Sequence, residues 1–216
     1  SRELRKRAAH IENLHEAIDL AFSFECHGFT LGLIQERSEI VEFLGIVKGA
    51  RPGICMEIGT HEGGSLFLLS RVCPDDARII SVDLPGGPYG SGYPLWKIPI
   101  YRSFAQNKQK IFLVRRDSHN EDTVRMVREI LREDELDLLF IDGDHSYEGV
   151  KRDFEMYSRL VRKGGIVAFH DIVPNQEDKT VGVPGFWNEI KHDFQNQEIV
   201  ASWMQAGKGI GIIRIP

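Results

Sequence analysis

Leu4, Ala8, Ile11, Leu14, Ile18 and Phe22 recur at spacings of three and four, a stripe that predicts an amphipathic helical N-terminus. A break falls around His27 and Gly28. Ile40, Phe43, Leu44 and Val47 then mark one face of a second helix starting near Ser38, where Ser38-x-x-Val41 is half of a capping signal. From residue 54 the rhythm changes. Short apolar runs at 54–58, 78–82, 111–114, 136–141 and 165–169 predict five strands, with helices expected at 62–72, 120–132 and 147–161. Strands alternating with helices imply right-handed crossovers and a parallel sheet covered on both faces. After a helix at 186–194, two runs at 198–204 and 210–215 around Gly207 and Gly209 predict an antiparallel hairpin with a short glycine turn.

The expected fold is therefore α/β: a doubly wound, mostly parallel, Rossmann-like sheet with a C-terminal antiparallel hairpin. Residues 1–49 form an N-terminal helical extension and residues 50–216 the main domain. One stretch fits neither helix nor strand: Pro85 to Pro94, rich in Gly and Pro and followed by Leu95-Trp96-Lys97. It is expected either as a long surface loop or as a cover over a site, since loops of this length often carry function.

Composition narrows the classes. The 216 residues fit one domain with an extension. A net charge of −5 disfavours a nucleic-acid partner, which is bound through clustered Lys and Arg. Three cysteines without a C-x-x-C pair argue against a disulfide framework or cysteine zinc site and suit a reducing compartment. No apolar run approaches the roughly 20 residues that span a bilayer, and the N-terminal residues lack a signal peptide's apolar core. The chain reads as soluble and cytoplasmic, with no membrane partner.

Ionisable residues gather at the carboxyl ends of the expected strands: Glu57, Asp83, Asp117, Asp142 and His170-Asp171. Ligands of open α/β sheets bind outside those ends. Acids there also cap helices, which accounts for one or two of the five. The first turn reads Glu57-Ile-Gly59-Thr60-His-Glu-Gly63-Gly64-Ser65. Its glycines permit a tight turn and close approach of a ligand, but their spacing departs from the Gly-x-Gly-x-x-Gly of nicotinamide and flavin binders, and no P-loop lysine follows. A carboxylate at Glu57 suits a cationic amine and repels a pyrophosphate. Asp83 stands where an acid takes two ribose hydroxyls. Asp117 and Ser118 are placed either for an adenine edge or, for Asp117, as a helix cap.

The segment D-L-L-F-I-D-G-D-H-S-Y-E-G-V (137–150), with E-x-G-x-x-x-G-G-S before it and G-G-I-V-A-F-H-D after it, resembles the class I methyltransferases, and among them the small-molecule O-methyltransferases of the catechol type and their antibiotic and sugar relatives. The resemblance runs from about residue 50 to the C-terminus. It implies S-adenosylmethionine held by Glu57, Gly59, Thr60, Gly63 and Ser65, with Asp83 on the ribose and Asp117, Ser118 and Asp142 completing the site. It also implies a divalent metal, magnesium or manganese, at Asp142, His170 and Asp171. His145 stands where the catechol type carries a lysine base. An imidazole at position 170 departs from the usual oxygen donor. Three readings stay open: a nitrogen-tolerant metal such as manganese or iron, Asp144 in place of His170, or no metal.

The reaction implied is methyl transfer to a hydroxyl of a small-molecule acceptor, with His145 as base at an unperturbed pKa of about 6.5. Rival readings are a non-catalytic S-adenosylmethionine-binding module, an oxidoreductase on a similar fold, and a nucleic-acid methyltransferase; the last lacks an Asn/Asp-Pro-Pro-Tyr-like motif. The N-terminal helices would either pack on a second subunit, giving a homo-oligomer, or cover the site of their own chain. Phe186 and Trp187 stand either at the acceptor side or in the core.

Overall fold

The computed structural model describes residues 2–86 and 92–216. Five parallel strands, β3 (Ile54–Ile58), β4 (Arg78–Asp83), β5 (Lys110–Arg115), β6 (Leu136–Ile141) and β7 (Val161–His170), are joined by two antiparallel ones, β8 (Gln195–Ile199) and β9 (Ile210–Arg214). The order across the sheet is β5-β4-β3-β6-β7-β9-β8. From β3 the chain steps outward to β4 and β5, then returns to the other side of β3 with β6. The order thus reverses between β3 and β6, and the crevice beyond their carboxyl ends is where such sheets bind ligands. The doubly wound sheet with antiparallel C-terminal strands is as the hydrophobic pattern predicts.

Alternation along each strand divides the core. Cys55, Ile79, Leu138, Phe140, Ile166 and Ala168 face one side; Met56, Ile58, Ile80, Val82, Leu139, Ile141, Val167 and Phe169 face the other. The second side is covered by α6 (Glu121–Leu131), α7 (Tyr147–Tyr157) and α8 (Val183–Ile190). The first is covered by α4 (Gly64–Val72), α5 (Ile98–Arg102) and the N-terminal helices α1 (Arg2–Ala8), α2 (Leu14–Ser23) and α3 (Arg37–Ala50). Phe43 of α3 lies 5.1 Å from Phe140 of β6, ring to ring. The extension therefore buries one face of the sheet. Phe186 and Trp187 are both core, and the Trp187 indole donates to Glu198 Oε1 at 2.6 Å.

Several boundaries differ from the sequence-based expectation. The N-terminal stripe is two helices, because Asn13 caps α2, accepting from the Glu16 N–H at 3.0 Å while the Glu16 carboxylate accepts from the Glu12 N–H. The break at His27-Gly28 is a two-residue hairpin, β1 (Glu25–Cys26) with β2 (Phe29–Thr30). Helix α3 begins at Arg37, so Ser38 is no cap. Beyond α7 the chain tightens into a 3-10 turn, and β7 starts at Val161, four residues early. The strand expected at 198–204 lies at 195–199, and residues 200–209 form a long connection rather than a short turn. Part of the Gly/Pro-rich stretch, 87–91, lies outside the described residues. Its flank is no plain surface loop: Tyr93 is 1% exposed, and a 3-10 turn at Leu95–Lys97 leads into α5.

Helix α6 shows how much one side chain holds. Asn120 accepts from the Asp122 N–H at 2.9 Å. Asn120→Ala is expected to cost about 1 kcal/mol, a fall of roughly 2–4 °C in the melting temperature for a chain of this size. An unchanged melting curve would show that Glu121 and Asp122 satisfy the helix end alone.

Candidate active site

Glu57 lies on β3, 0% exposed, just before the chain turns at Gly59. Ser65, in the first turn of α4, donates its hydroxyl to Glu57 Oε2 at 2.7 Å, while Oε1 has no partner. Burial pushes the Glu57 carboxyl up to about 8, against the opposing hydroxyl bonds. Gly59 has φ +93°, and a Cβ there would sit 1.9 Å from the Asp142 carbonyl oxygen. The turn after β3 and the turn after β6 are thus in backbone contact, with the Asp142 N–H donating to the Ile58 carbonyl at 2.8 Å. Gly63, φ +90°, packs against the Tyr101 ring, whose hydroxyl donates to the His61 carbonyl at 2.8 Å.

Asp83 closes the other side of this turn. Its Oδ2 accepts from the N–H groups of Thr60 (2.9 Å) and His61 (2.7 Å), and Oδ1 accepts from Leu84 at 2.7 Å. Burial raises its pKa despite these bonds. So Asp83, expected on a ribose, also shapes the glycine turn. Thr60 is buried, its hydroxyl bonded to that of Ser81. Tyr93 brings a buried hydroxyl without a partner close enough to Asp83 and Glu57 for both charges, after burial, to raise its pKa.

Asp142, His170 and Asp171 converge, as their positions after β6 and β7 imply. One ligand atom from each lies within 4.8 Å of the others. His170, 5% exposed, places Nδ1 3.1 Å from Asp142 Oδ1 and 3.4 Å from Asp171 Oδ1, yet neither ring nitrogen is aligned for a hydrogen bond. Burial alone would lower its pKa; the two carboxylates outweigh it and hold the imidazole well above its usual range. In turn Asp171 stays far below the usual carboxylate range despite burial, because both imidazoles face it. Asp144 is directed elsewhere: it is exposed, accepts from the Ser146 N–H at 2.9 Å and does not join the cluster.

His145 stands beside both carboxylates of the cluster. Its Nδ1 lies 2.8 Å from Asp171 Oδ2 and its Nε2 3.6 Å from Asp142 Oδ1. The bond to Asp171 pushes its pKa up to about 9, so at neutral pH the ring carries a proton rather than standing free to take one. Asp117 and Ser118 sit apart from the cluster, after β5. Asp117 is exposed and accepts from the His119 N–H; Asn120 is the cap of α6. The Ser118 carbonyl accepts from the Tyr157 hydroxyl at 2.8 Å.

Two site neighbours carried no expectation. Gln35, from the segment before α3, donates from Nε2 to Asp142 Oδ2 at 2.9 Å. Lys97, 5% exposed, pairs with Glu62 of the glycine turn and lies over the Phe29 ring. For Lys97 the signal was its place directly after the Gly/Pro-rich stretch; for Gln35 there was none. Among the described residues no helix is long and apolar enough to cross a membrane.

Comparison with known proteins gives relatives in sequence and in fold. The chain is 33% identical over 119 residues to the uncharacterised protein R132 of Acanthamoeba polyphaga mimivirus, 54% of this chain and 50% of that protein. It is 30% identical over 116 residues to tapetum-specific methyltransferase 1 of Arabidopsis thaliana, 53% of this chain and 44% of that protein. The chain thus spans half or less of the length of these curated relatives. The O-methyltransferase of Bacillus cereus, solved in complex with SAH (S-adenosylhomocysteine), shares the fold at a TM-score of 0.64 and 15% identity, covering 99% of this chain and 97% of that one. Residues 56–172, which run from β3 through the glycine turn to Asp142, His170 and Asp171, match the methyltransferase domain family, and the chain belongs to it.

Proposed function

We propose that the chain moves a methyl group from S-adenosylmethionine to a hydroxyl of a small molecule. The observation that carries this is Glu57: a fully buried carboxylate at the sheet's reversal point, one oxygen held by Ser65 and the other unpartnered, behind a turn built on Gly59 and Gly63. An unsatisfied buried oxygen calls for a partner, and the ammonium of a methionine group is one. S-adenosylmethionine supplies a sulfonium-activated methyl. Glu57 takes the amine, Asp83 a ribose hydroxyl through the lone pair that the Leu84 bond leaves free on Oδ1, and the Asp117-Ser118 turn borders the adenine side.

The donor set of Asp142, His170 and Asp171 fits a divalent cation, with the buried, unbonded His170 nitrogens as the supporting observation. Two carboxylates and an imidazole suit manganese or iron better than magnesium, which prefers oxygen. Such an ion supplies Lewis acidity to an acceptor oxygen. His145 can receive the hydroxyl proton once its pairing with Asp171 has opened and the half-exposed ring has released to solvent the proton that the pairing holds on it. Ile34 and Met204, both exposed, stand on the two segments that border the cluster and favour an acceptor with an apolar body. Transfer then depends on holding the oxygen in line with the methyl.

Calorimetric titration of the metal-stripped protein with S-adenosylmethionine and S-adenosylhomocysteine, with and without manganese or magnesium, tests the reading. Micromolar binding is expected, weakened at least about tenfold by Asp83→Ala through the loss of charge-assisted bonds. Absence of binding under every condition would overturn it.

A further inference from the structure

Residues 35–39, which precede the matched span 56–172, touch Asp142 of the Asp142/His170/Asp171 cluster directly and Asp171 through an intervening segment. Gln35 lies in irregular chain before α3, yet it is 7% exposed. Its Nε2 donates to Asp142 Oδ2, and its Oε1 is buried without a partner, so the Asp142 bond alone fixes the direction of the amide. Four residues later, in the first turn of α3, Glu39 is 1% exposed. Its Oε2 accepts from the Gly209 N–H at 2.8 Å, and its Oε1 from the Ala201 N–H at 2.9 Å and Gln205 Nε2 at 2.7 Å. All three donors belong to the 200–209 connection. That same connection holds Asp171: the Lys208 N–H, one residue before the Gly209 group that Glu39 takes, donates to Asp171 Oδ1 at 2.9 Å.

Asp171 has φ +64°, a backbone state an aspartate keeps where its surroundings impose it. Burying a carboxylate such as Glu39 is unfavourable unless it is hydrogen-bonded. An apolar contact would fasten α3 to the connection without that penalty. What the carboxylate adds is three acceptances that fix where residues 201, 205 and 209 lie, and through Lys208 where Asp171 points.

We propose that Gln35 and Glu39 are positioning residues: one turn of the N-terminal extension sets the spacing and direction of the Asp142 and Asp171 carboxylates. The cation at those carboxylates rests on the reading under Proposed function; the geometry does not. Gln35 acts directly on Asp142 and Glu39 acts through the 200–209 connection on Asp171.

The test combines amide exchange followed by NMR on the metal-free protein with manganese titration. In the unsubstituted protein the Gln35 side-chain amide protons exchange slowly, and Asp142→Ala abolishes that protection. In Glu39→Gln, which cannot accept at both oxygens, the Lys208 amide exchanges at least tenfold faster while the Gly59 amide is unchanged. Gln35→Ala and Glu39→Gln each weaken manganese binding tenfold or more, with S-adenosylhomocysteine affinity within twofold. Should Glu39→Gln fail to fold, Gln205→Ala removes one of the three bonds and should speed Lys208 exchange two- to fivefold. Amides indifferent to these substitutions would overturn the positioning role whatever manganese does, and so would amides that respond while manganese affinity stays the same. If the unsubstituted protein binds no manganese while the amides respond as expected, the cation reading falls and the positioning role stands.

Discussion

Gly59→Ala is expected to destabilise the fold by about 3–5 kcal/mol and to abolish binding of S-adenosylhomocysteine. Two effects add. A side chain at φ +93° is strained, at about 1–3 kcal/mol. The new Cβ would also lie 1.9 Å from the Asp142 carbonyl oxygen, which is backbone and cannot swing aside. The ends of β3 and β6 must then separate, straining the Gly59-to-Val82 and Asp142-to-Ile58 bonds of 2.9 and 2.8 Å. Gly63→Ala is the comparison: it carries a like strain at φ +90°, but its Cβ would meet the buried Tyr101 ring rather than backbone, so the difference between the two variants reports the contact between the β3 and β6 turns. Denaturant unfolding of the two variants checks this: a Gly59→Ala loss below about 1 kcal/mol would show that the two turns are not locked together.

Glu57→Gln is expected to act in opposite directions on stability and on binding. The Glu57 carboxyl titrates near 8 in the folded chain against 4.5 in the unfolded one. Between those values the folded state keeps a proton that the unfolded state has released, so stability falls as pH rises, by about 1.4 kcal/mol per unit. Below 4.5 the effect vanishes, and above 8 the full penalty applies. Glutamine removes this slope. Allowing for an unsatisfied amide, the ligand-free variant should be more stable at pH 8 by about 1–3 kcal/mol. Its affinity for S-adenosylmethionine should fall by roughly 30–150-fold at that pH, about 2–3 kcal/mol for the lost ammonium pairing. The affinity of the unsubstituted protein should itself climb between pH 5 and 8, because binding a cationic amine displaces the proton. Urea melts at pH 5 and 8, paired with calorimetry, decide. Parallel pH slopes for the two proteins would mean that Glu57 is ionised throughout and that this account of its burial is wrong.

The strands were legible because a sheet buried on both faces needs near-continuous apolar runs, and Ile54–Ile58, Arg78–Val82 and Leu136–Ile141 supply them. So was the convergence of Asp142, His170 and Asp171, since all three end neighbouring strands. The break between α1 and α2 was missed, because the apolar stripe runs through it unbroken and masks the Asn13-to-Glu16 capping spacing. Other features lay beyond reach for a definite reason. Glu39 sits in an amphipathic helix where a carboxylate reads as solvent-facing, and its burial depends on backbone N–H groups more than 160 positions away. The protonation of His145 is set by Asp171, which spacing places nearby but cannot put at 2.8 Å. Gln35 meets Asp142 across 107 positions, without any motif to mark it.

The sheet ends at β8 with Gln195, Asn196 and Gln197 exposed and Glu198 half-buried. An outermost strand with free backbone groups is a template on which another chain can add. Here a newcomer would find amides and a carboxylate that is already engaged with Trp187 and Lys191, and little apolar surface to reward it. Growth of the sheet from one molecule into the next is therefore poorly rewarded at this border, and the opposite border, β5, carries Lys110 and Arg115 at its two ends, charges of the kind that keep an edge strand from pairing.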